Sequence, residues 1–181
     1  LARAVAATAR RRSRGFPARA WVLPAAAGLL VGLALAGYRA RSIRADALAA
    51  ELAGSHVRAL QPGKLTDVVS TDRHTVKPWF AGRIDFAPPV PDLTPAGFPL
   101  VGGRLDAVAG RPAAVLVYGR RRHVIDLYVV PAADSPGAVA AEWNGFHVVH
   151  WTAESLAFWA ISDLDRAELQ RFVSLFRGAA S

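Results

Sequence analysis

Residues 20–38, AWVLPAAAGLLVGLALAGY, carry no charge and are bracketed by arginines on both sides. As one helix, these nineteen residues would rise about 28 Å, close to a bilayer hydrocarbon core of about 30 Å. Backbone in lipid must satisfy its own hydrogen bonds, so such a run is expected as a single helix. Trp21 and Tyr38 stand at its ends, where amphipathic rings favour the headgroup level. Pro24 falls in the first turns, where a missing N–H matters least. The run therefore predicts a transmembrane helix over 20–38, with Arg19, Trp21, Tyr38, Arg39 and Arg41 at the membrane interface and lipid as a partner. A cleaved signal peptide is the competing reading. Ala34-Leu35-Ala36 has the small-x-small form, but the run exceeds the roughly 7–15 apolar residues of such leaders and arginines follow at once. The arginine triplet 10–12 lacks the apolar residues of a twin-arginine signal, since Ser13 and Arg14 come next.

The net charge of +8 suggests nucleic acid until it is divided along the chain. Residues 1–44 hold nine arginines and no acid, whereas residues 45–181 hold thirteen basic and fourteen acidic residues. The excess belongs to the flanks of the apolar run and argues against a nucleic-acid partner for the rest. By the positive-inside rule, six arginines before the run and three after it place the N-terminus in the cytoplasm. The expected location is the inner (cytoplasmic) membrane, single-pass, with the C-terminal domain outside. There is no cysteine, so disulfides and thiolate metal sites are excluded.

Residues 1–19 read as a basic cytoplasmic tail or linker. Leu48, Leu52, Val57 and Leu60 approach helical spacing, predicting a stalk helix over 45–60 that Gln61-Pro62-Gly63 ends. Residues 61–181 are long enough for one domain with its own core. Within it, 67–70 reads as a short strand, 75–82 as a short helix, and 86–93, with three prolines, as extended wrapped backbone. Strand-like runs follow at 100–108, 113–118, 124–130, 146–151 and 156–161. In the third of these, Ile125, Leu127 and Val129 share one face and Asp126 and Tyr128 the other. A last helix starts near Ser162, with Asp165 at capping-box spacing, and stops at Gly178; its stripe is Leu164, Leu169, Phe172, Val173 and Phe176. The expected fold is α+β: a transmembrane helix, then a domain with an antiparallel sheet of about five strands, arranged as a meander, and a C-terminal helix packed on it.

Few residues suggest chemistry. His147 and His150 are three apart, which on a strand sends them to opposite faces, and no H-x-x-x-H exists, so no metal or other cofactor is expected. Ser70, Asp72 and His74 have the side chains of a hydrolase triad, but they are near neighbours without a G-x-S-x-G turn, and no enzyme is expected. Asp72, His74, Lys77 and Trp79 are candidate contacts for a small ligand or an acidic peptide, against a bland reading in which His74 caps a helix and Trp79 packs. The arginines 120–122 read as a solvated hairpin tip, Gly102-Gly103 as a bulge, and Trp143, Trp151 and Trp159 as core or edge aromatics.

One long motif points further. Val69-Ser70-Thr71-Asp72-Arg73-His74-Thr75-Val76-Lys77-Pro78-Trp79-Phe80 resembles the outer domain of bacterial transmembrane anti-sigma factors. Gly82-Arg83-Ile84-Asp85-Phe86-Ala87-Pro88-Pro89-Val90-Pro91-Asp92-Leu93 and Gly97-Phe98-Pro99-Leu100-Val101-Gly102-Gly103-Arg104-Leu105-Asp106 continue the likeness. So do Arg121-Arg122-His123-Val124-Ile125-Asp126-Leu127, His150-Trp151 and the segment 157–164. The resemblance implies a single-pass regulator of transcription, in which a cytoplasmic helical domain, often with a His/Cys zinc motif, holds an extracytoplasmic-function sigma factor. Nineteen cysteine-free residues before the apolar run do not supply that domain, so a sigma factor is expected as partner only through a missing N-terminal domain. The alternative is a membrane-tethered ligand- or peptide-binding module without sigma-binding activity.

Overall fold

The computed structural model describes residues 19–137, 139 and 141–180, and falls into two units, residues 1–40 and 41–181. The expected basic tail over 1–19 lies, but for Arg19, outside the described residues. The first element, α1, is an α-helix over Arg19–Ala59, 41 residues long. The expected apolar helix and stalk helix are thus one element. The joint between them, Arg39-Ala40-Arg41-Ser42-Ile43-Arg44-Ala45-Asp46, contains no glycine or proline to break the helix.

Among the described residues no helix is long and apolar enough to cross a membrane. The apolar stretch of α1 ends at Tyr38. Arg39, Arg41 and Arg44 then follow. The expected span over 20–38 and the single-pass inner-membrane location are corrected accordingly. Of the residues expected at the interface, the side chains of Arg19 and Trp21 lie outside the described ones. Tyr38, Arg39 and Arg41 are exposed.

The second unit is built on one antiparallel sheet of seven strands: β1 (Val68–Val69), β2 (Leu100–Val108), β3 (Arg111–Arg120), β4 (His123–Pro131), β5 (Glu142–Trp143), β6 (Phe146–Ala153) and β7 (Leu156–Ser162). Its order is β1-β2-β3-β4-β7-β6-β5, which corrects both the count of five and the simple meander. The two edge strands have two residues each, too few to show an alternating pattern. The strand after the long link, β6, pairs with β7, and it is β7 that lies beside β4. Two-residue turns at Ala109-Gly110 and Asn144-Gly145 have positive φ at both positions, the geometry that closes tight hairpins.

Alternation along the strands divides the core as the β4 pattern indicates. Ile125, Leu127 and Val129 belong to a cluster with Phe98, Phe172 and Phe176, under α2 (Arg73–Phe80) and α3 (Arg166–Ala180). Gly103 lets α2 approach this face: a Cβ there would stand 2.9 Å from the Phe80 ring and 3.2 Å from Val76. The pairing of β2 with β3 shifts register between Leu100 and Gly102, the bulge expected there. The cap of α3 is Asp165, not Ser162: Asp165 Oδ1 accepts the N–H of Glu168 at 2.9 Å. Ser162 instead closes β7, its Oγ donating to the Val124 carbonyl at 2.7 Å. Gly178 does not stop α3, which runs on to Ala180.

The opposite face packs Val115, Val117, Trp159 and Ile161 against Leu48, Leu52 and Ala53 of α1. Ser55, His56 and Ala59 continue the buried stripe, while Val57 and Leu60 are exposed. Of the polar residues on that stripe, Ser55 donates its Oγ to the Asp106 carboxylate, and His56 faces Asp126, which is fully buried in β4. Arg104 donates to both its oxygens, Nη1 to Oδ1 at 3.0 Å and Nη2 to Oδ2 at 2.8 Å. His56 Nδ1 lies 2.8 Å from Oδ2; an ionised carboxylate only accepts, so Nδ1 carries the proton. Arg104 Nη2 also donates to the Tyr128 hydroxyl at 3.1 Å. Burial alone would raise the Asp126 carboxyl, but the hydrogen bonds from His56 and Arg104 and the arginine charge hold it below the usual carboxylate range.

A buried carboxylate with three donors leaves charged partners stranded if it is removed. Asp126→Asn is expected to lower unfolding free energy by about 3–5 kcal/mol, read as a shift in the urea midpoint. Because the folded value lies below the unfolded one, the stabilisation from Asp126 is complete above the ordinary aspartate pKa of about 3.9. It is lost as pH falls through the folded value. The wild-type urea midpoint should therefore drop on acidification over that window, with a smaller drop in Asp126→Asn.

Candidate functional site

The segment Ser70–Phe80 folds into a cap and a helix. Asp72 is the N-cap of α2, its Oδ1 accepting the backbone N–H of His74 at 2.8 Å. Ser70 Oγ in turn accepts the N–H of Asp72 at 3.0 Å. These oxygens serve the backbone, and His74 is not the capping residue. Val76 and Phe80 are the buried face of the helix. The helix begins two residues before the expected Thr75, which brings Arg73 and His74 onto it.

Arg73 and Lys77 are one helical turn apart on α2 and so lie on one side of it. With His74 and Pro78 they form one wall of a surface cleft of about 420 Å³. The facing residues are Pro89, Val90 and Pro91, with Ala179 and Ala180 from the end of α3. Arg73, His74 and Lys77 are all exposed, while Val90 and Pro91 are buried. Arg73 Nε donates to His74 Nε2 at 3.4 Å. Lys77 makes no ion pair with any described residue.

The proline wall is held from behind and from its end. Tyr118, buried in β3, donates its hydroxyl to the Pro91 carbonyl at 3.1 Å. Burial pushes the Tyr118 phenol far above its usual range, so it stays a neutral donor. Asp92 Oδ1 accepts the N–H of Thr94 at 2.9 Å. Hydrogen bonds from the Thr94 side chain and backbone, with a contribution from Arg73, hold the Asp92 carboxyl below its usual value.

Of the four candidate contacts, the structure brings His74 and Lys77 into the cleft and leaves Asp72 and Trp79 outside its lining. Trp79 packs edge-on against Phe80, ring centroids 5.1 Å apart. The Arg83 guanidinium lies over its ring at 4.5 Å. Arg73 was missing from the candidates, although its i,i+4 spacing to Lys77 was visible. Pro89–Pro91 and the end of α3 are distant in sequence from α2, and only the tertiary fold adds them.

A second cavity, also about 420 Å³, shares Lys77, Pro89 and Ala180 with the first. It continues past Trp151, Ala153, Glu154, Phe158 and Arg177. Trp151 and Phe158 stack with centroids 4.9 Å apart and an interplanar angle of 5°.

The other expected features resolve locally. On β6, alternation places His147 and His150 on opposite faces, as expected; His150 stacks on Trp159 at 4.9 Å. Desolvation lowers the pKa of the His150 imidazole. Arg120 is not part of a solvated tip: it pairs with Glu168 at 2.6 Å and lies 4.8 Å over the Phe98 ring. Comparison with protein-family models, curated proteins and solved structures finds no match.

The cap can be tested apart from the cleft. Asp72→Ala should lower unfolding free energy by about 1 kcal/mol, and Asp72→Asn by much less, because asparagine accepts the same hydrogen bond. Urea denaturation of the two variants reads the difference.

Proposed function

We propose that this chain is a regulator of transcription of anti-sigma type, with residues 41–181 as its recognition domain. One observation supports the reading above the others. Two of the segments that carry the resemblance, 69–80 and 82–93, form walls of one cleft and present Arg73, His74 and Lys77 to solvent beside a proline wall. Side chains held there by a cap, a helix and a buried tyrosine are suited to recognition, since exposed cations do little for packing. The chain acts by binding, not by catalysis. The oxygens of Ser70 and Asp72 are already committed to backbone N–H groups. A sigma factor is the regulated partner, held by the sigma-binding part that the resemblance implies, and the domain reports whether its cleft is occupied. Nucleic acid is not a partner, because residues 45–181 carry one more acid than base.

The binding module without sigma-binding activity is the second reading, favoured by the same cleft. Gene expression separates the two. In the native cell, Arg73→Glu with Lys77→Glu at the chromosomal locus should change transcripts of one sigma-dependent gene set by about fivefold or more, the range of ordinary allosteric coupling. Protein abundance should be unchanged. An unaltered transcript profile with a folded double variant would sink the anti-sigma reading and leave the binding module.

A further inference from the structure

The geometry points to an extended acidic peptide segment as the occupant of this cleft, with a carboxylate side chain at Lys77 and an apolar side chain over Trp151 and Phe158. The inference rests on the reading of the cleft as a recognition surface and adds what it recognises.

Three observations select the occupant. The two cavities share Lys77, Pro89 and Ala180 in their walls, so they adjoin, with Lys77 between them. A groove open to solvent along its length cannot enclose a drug-sized molecule, whereas ligand pockets bury about 70–90% of such a ligand. An extended chain laid along it gains contact at several points instead. Charge sets the sign: Arg73 and Lys77 line the first part, and the acids nearby are Asp92, already hydrogen-bonded to Thr94, and Glu154 in the second part. Lys77, exposed and without an ion-pair partner among the described residues, is the natural seat for a carboxylate.

The wall chemistry excludes one mode of peptide binding. Pro89 and Pro91 have no N–H, and the Pro91 carbonyl already accepts from Tyr118. A peptide therefore cannot add to this wall as a β-strand, which requires alternating donors and acceptors. Recognition falls to side chains, a carboxylate for the cations and an apolar group for the aromatic pair. Nucleic acid is disfavoured because residues 45–181 hold thirteen bases against fourteen acids, too little positive charge to attract a polyanion.

The test is selection of a phage-displayed random heptapeptide library on the full chain. Selected peptides should be enriched in Asp or Glu within a few residues of Leu, Phe or another apolar residue. Affinity of the pooled winners should fall about tenfold or more in Lys77→Glu and as salt rises from about 0.05 to 0.5 M. Ala153→Glu, on an exposed position of the aromatic part, should weaken them too. Arg122→Glu, at the distant β3–β4 turn, should not. The proposal is overturned by winners without acidic enrichment, by winners indifferent to Lys77→Glu, by competition from millimolar succinate alone, or by tighter binding of a single-stranded oligonucleotide. Those outcomes leave the transcript experiment untouched. Acidic winners with unaltered transcripts would instead uphold the ligand and remove the anti-sigma reading.

Discussion

A charge in the interior of a sheet must be matched where it stands, and Asp126 is matched from two directions. Arg104 reaches it from β2, across the intervening strand β3, and His56 reaches it from α1. The interaction therefore constrains more than one pair. It sets which side of α1 faces the sheet, because His56 must point at Oδ2. It also ties β2 to β4 across β3, because the guanidinium spans that distance to meet both oxygens. Hydrophobic contacts from Leu48, Leu52 and Ala53 supply area on this face, yet area tolerates rotation and slippage in a way that a three-donor carboxylate does not.

The two faces of the sheet consequently do different work. The α1 face is anchored by directed polar bonds. The α2–α3 face is filled by rings, with Phe172 within 5.4 Å of Phe98 and 5.2 Å of Tyr118. Tyr118 links that packing to the cleft: its ring is in the aromatic cluster and its hydroxyl donates to the Pro91 carbonyl. The proline wall is thus positioned by the core, not by its own flexibility, and the cleft between it and α2 is formed before any occupant arrives.

Much of this was legible in the residues. The alternation in β4 gave both faces correctly, including Asp126 and Tyr128 on one of them, and the stripe Leu169, Phe172, Val173 and Phe176 gave the buried side of α3. What failed has definite physical causes. β1 lies within the strand read at 67–70, but β5, two residues long, has no period to read. The cap of α3 moved from Ser162 to Asp165 because Ser162 had a better use at the end of β7. The stalk pattern favoured Val57 and Leu60, since a purely apolar count ignores that His56 and Ser55 can be buried once Asp126 and Asp106 are there to receive them. The site was half visible: His74 and Lys77 stood in the motif, but Trp79 was drawn in by its chemistry and turns to Phe80 instead.

The division of charge along the chain gives the cleft its meaning. Had the excess of positive charge been spread over the whole protein, two cations in one cleft would be unremarkable in a broadly basic surface. It is concentrated before residue 45, and residues 45–181 are nearly neutral. Against that background Arg73 and Lys77, with the polar His74 beside them, make a local positive field, and low-dielectric walls such as Val90 and Pro91 concentrate such a field within a concave site. The same three residues contribute little to the core, whose α2 contacts are Val76 and Phe80. Folding alone would accept many polar residues at positions 73, 74 and 77. Their joint presence on one turn of one helix is therefore better explained by what enters the cleft than by what lies beneath it.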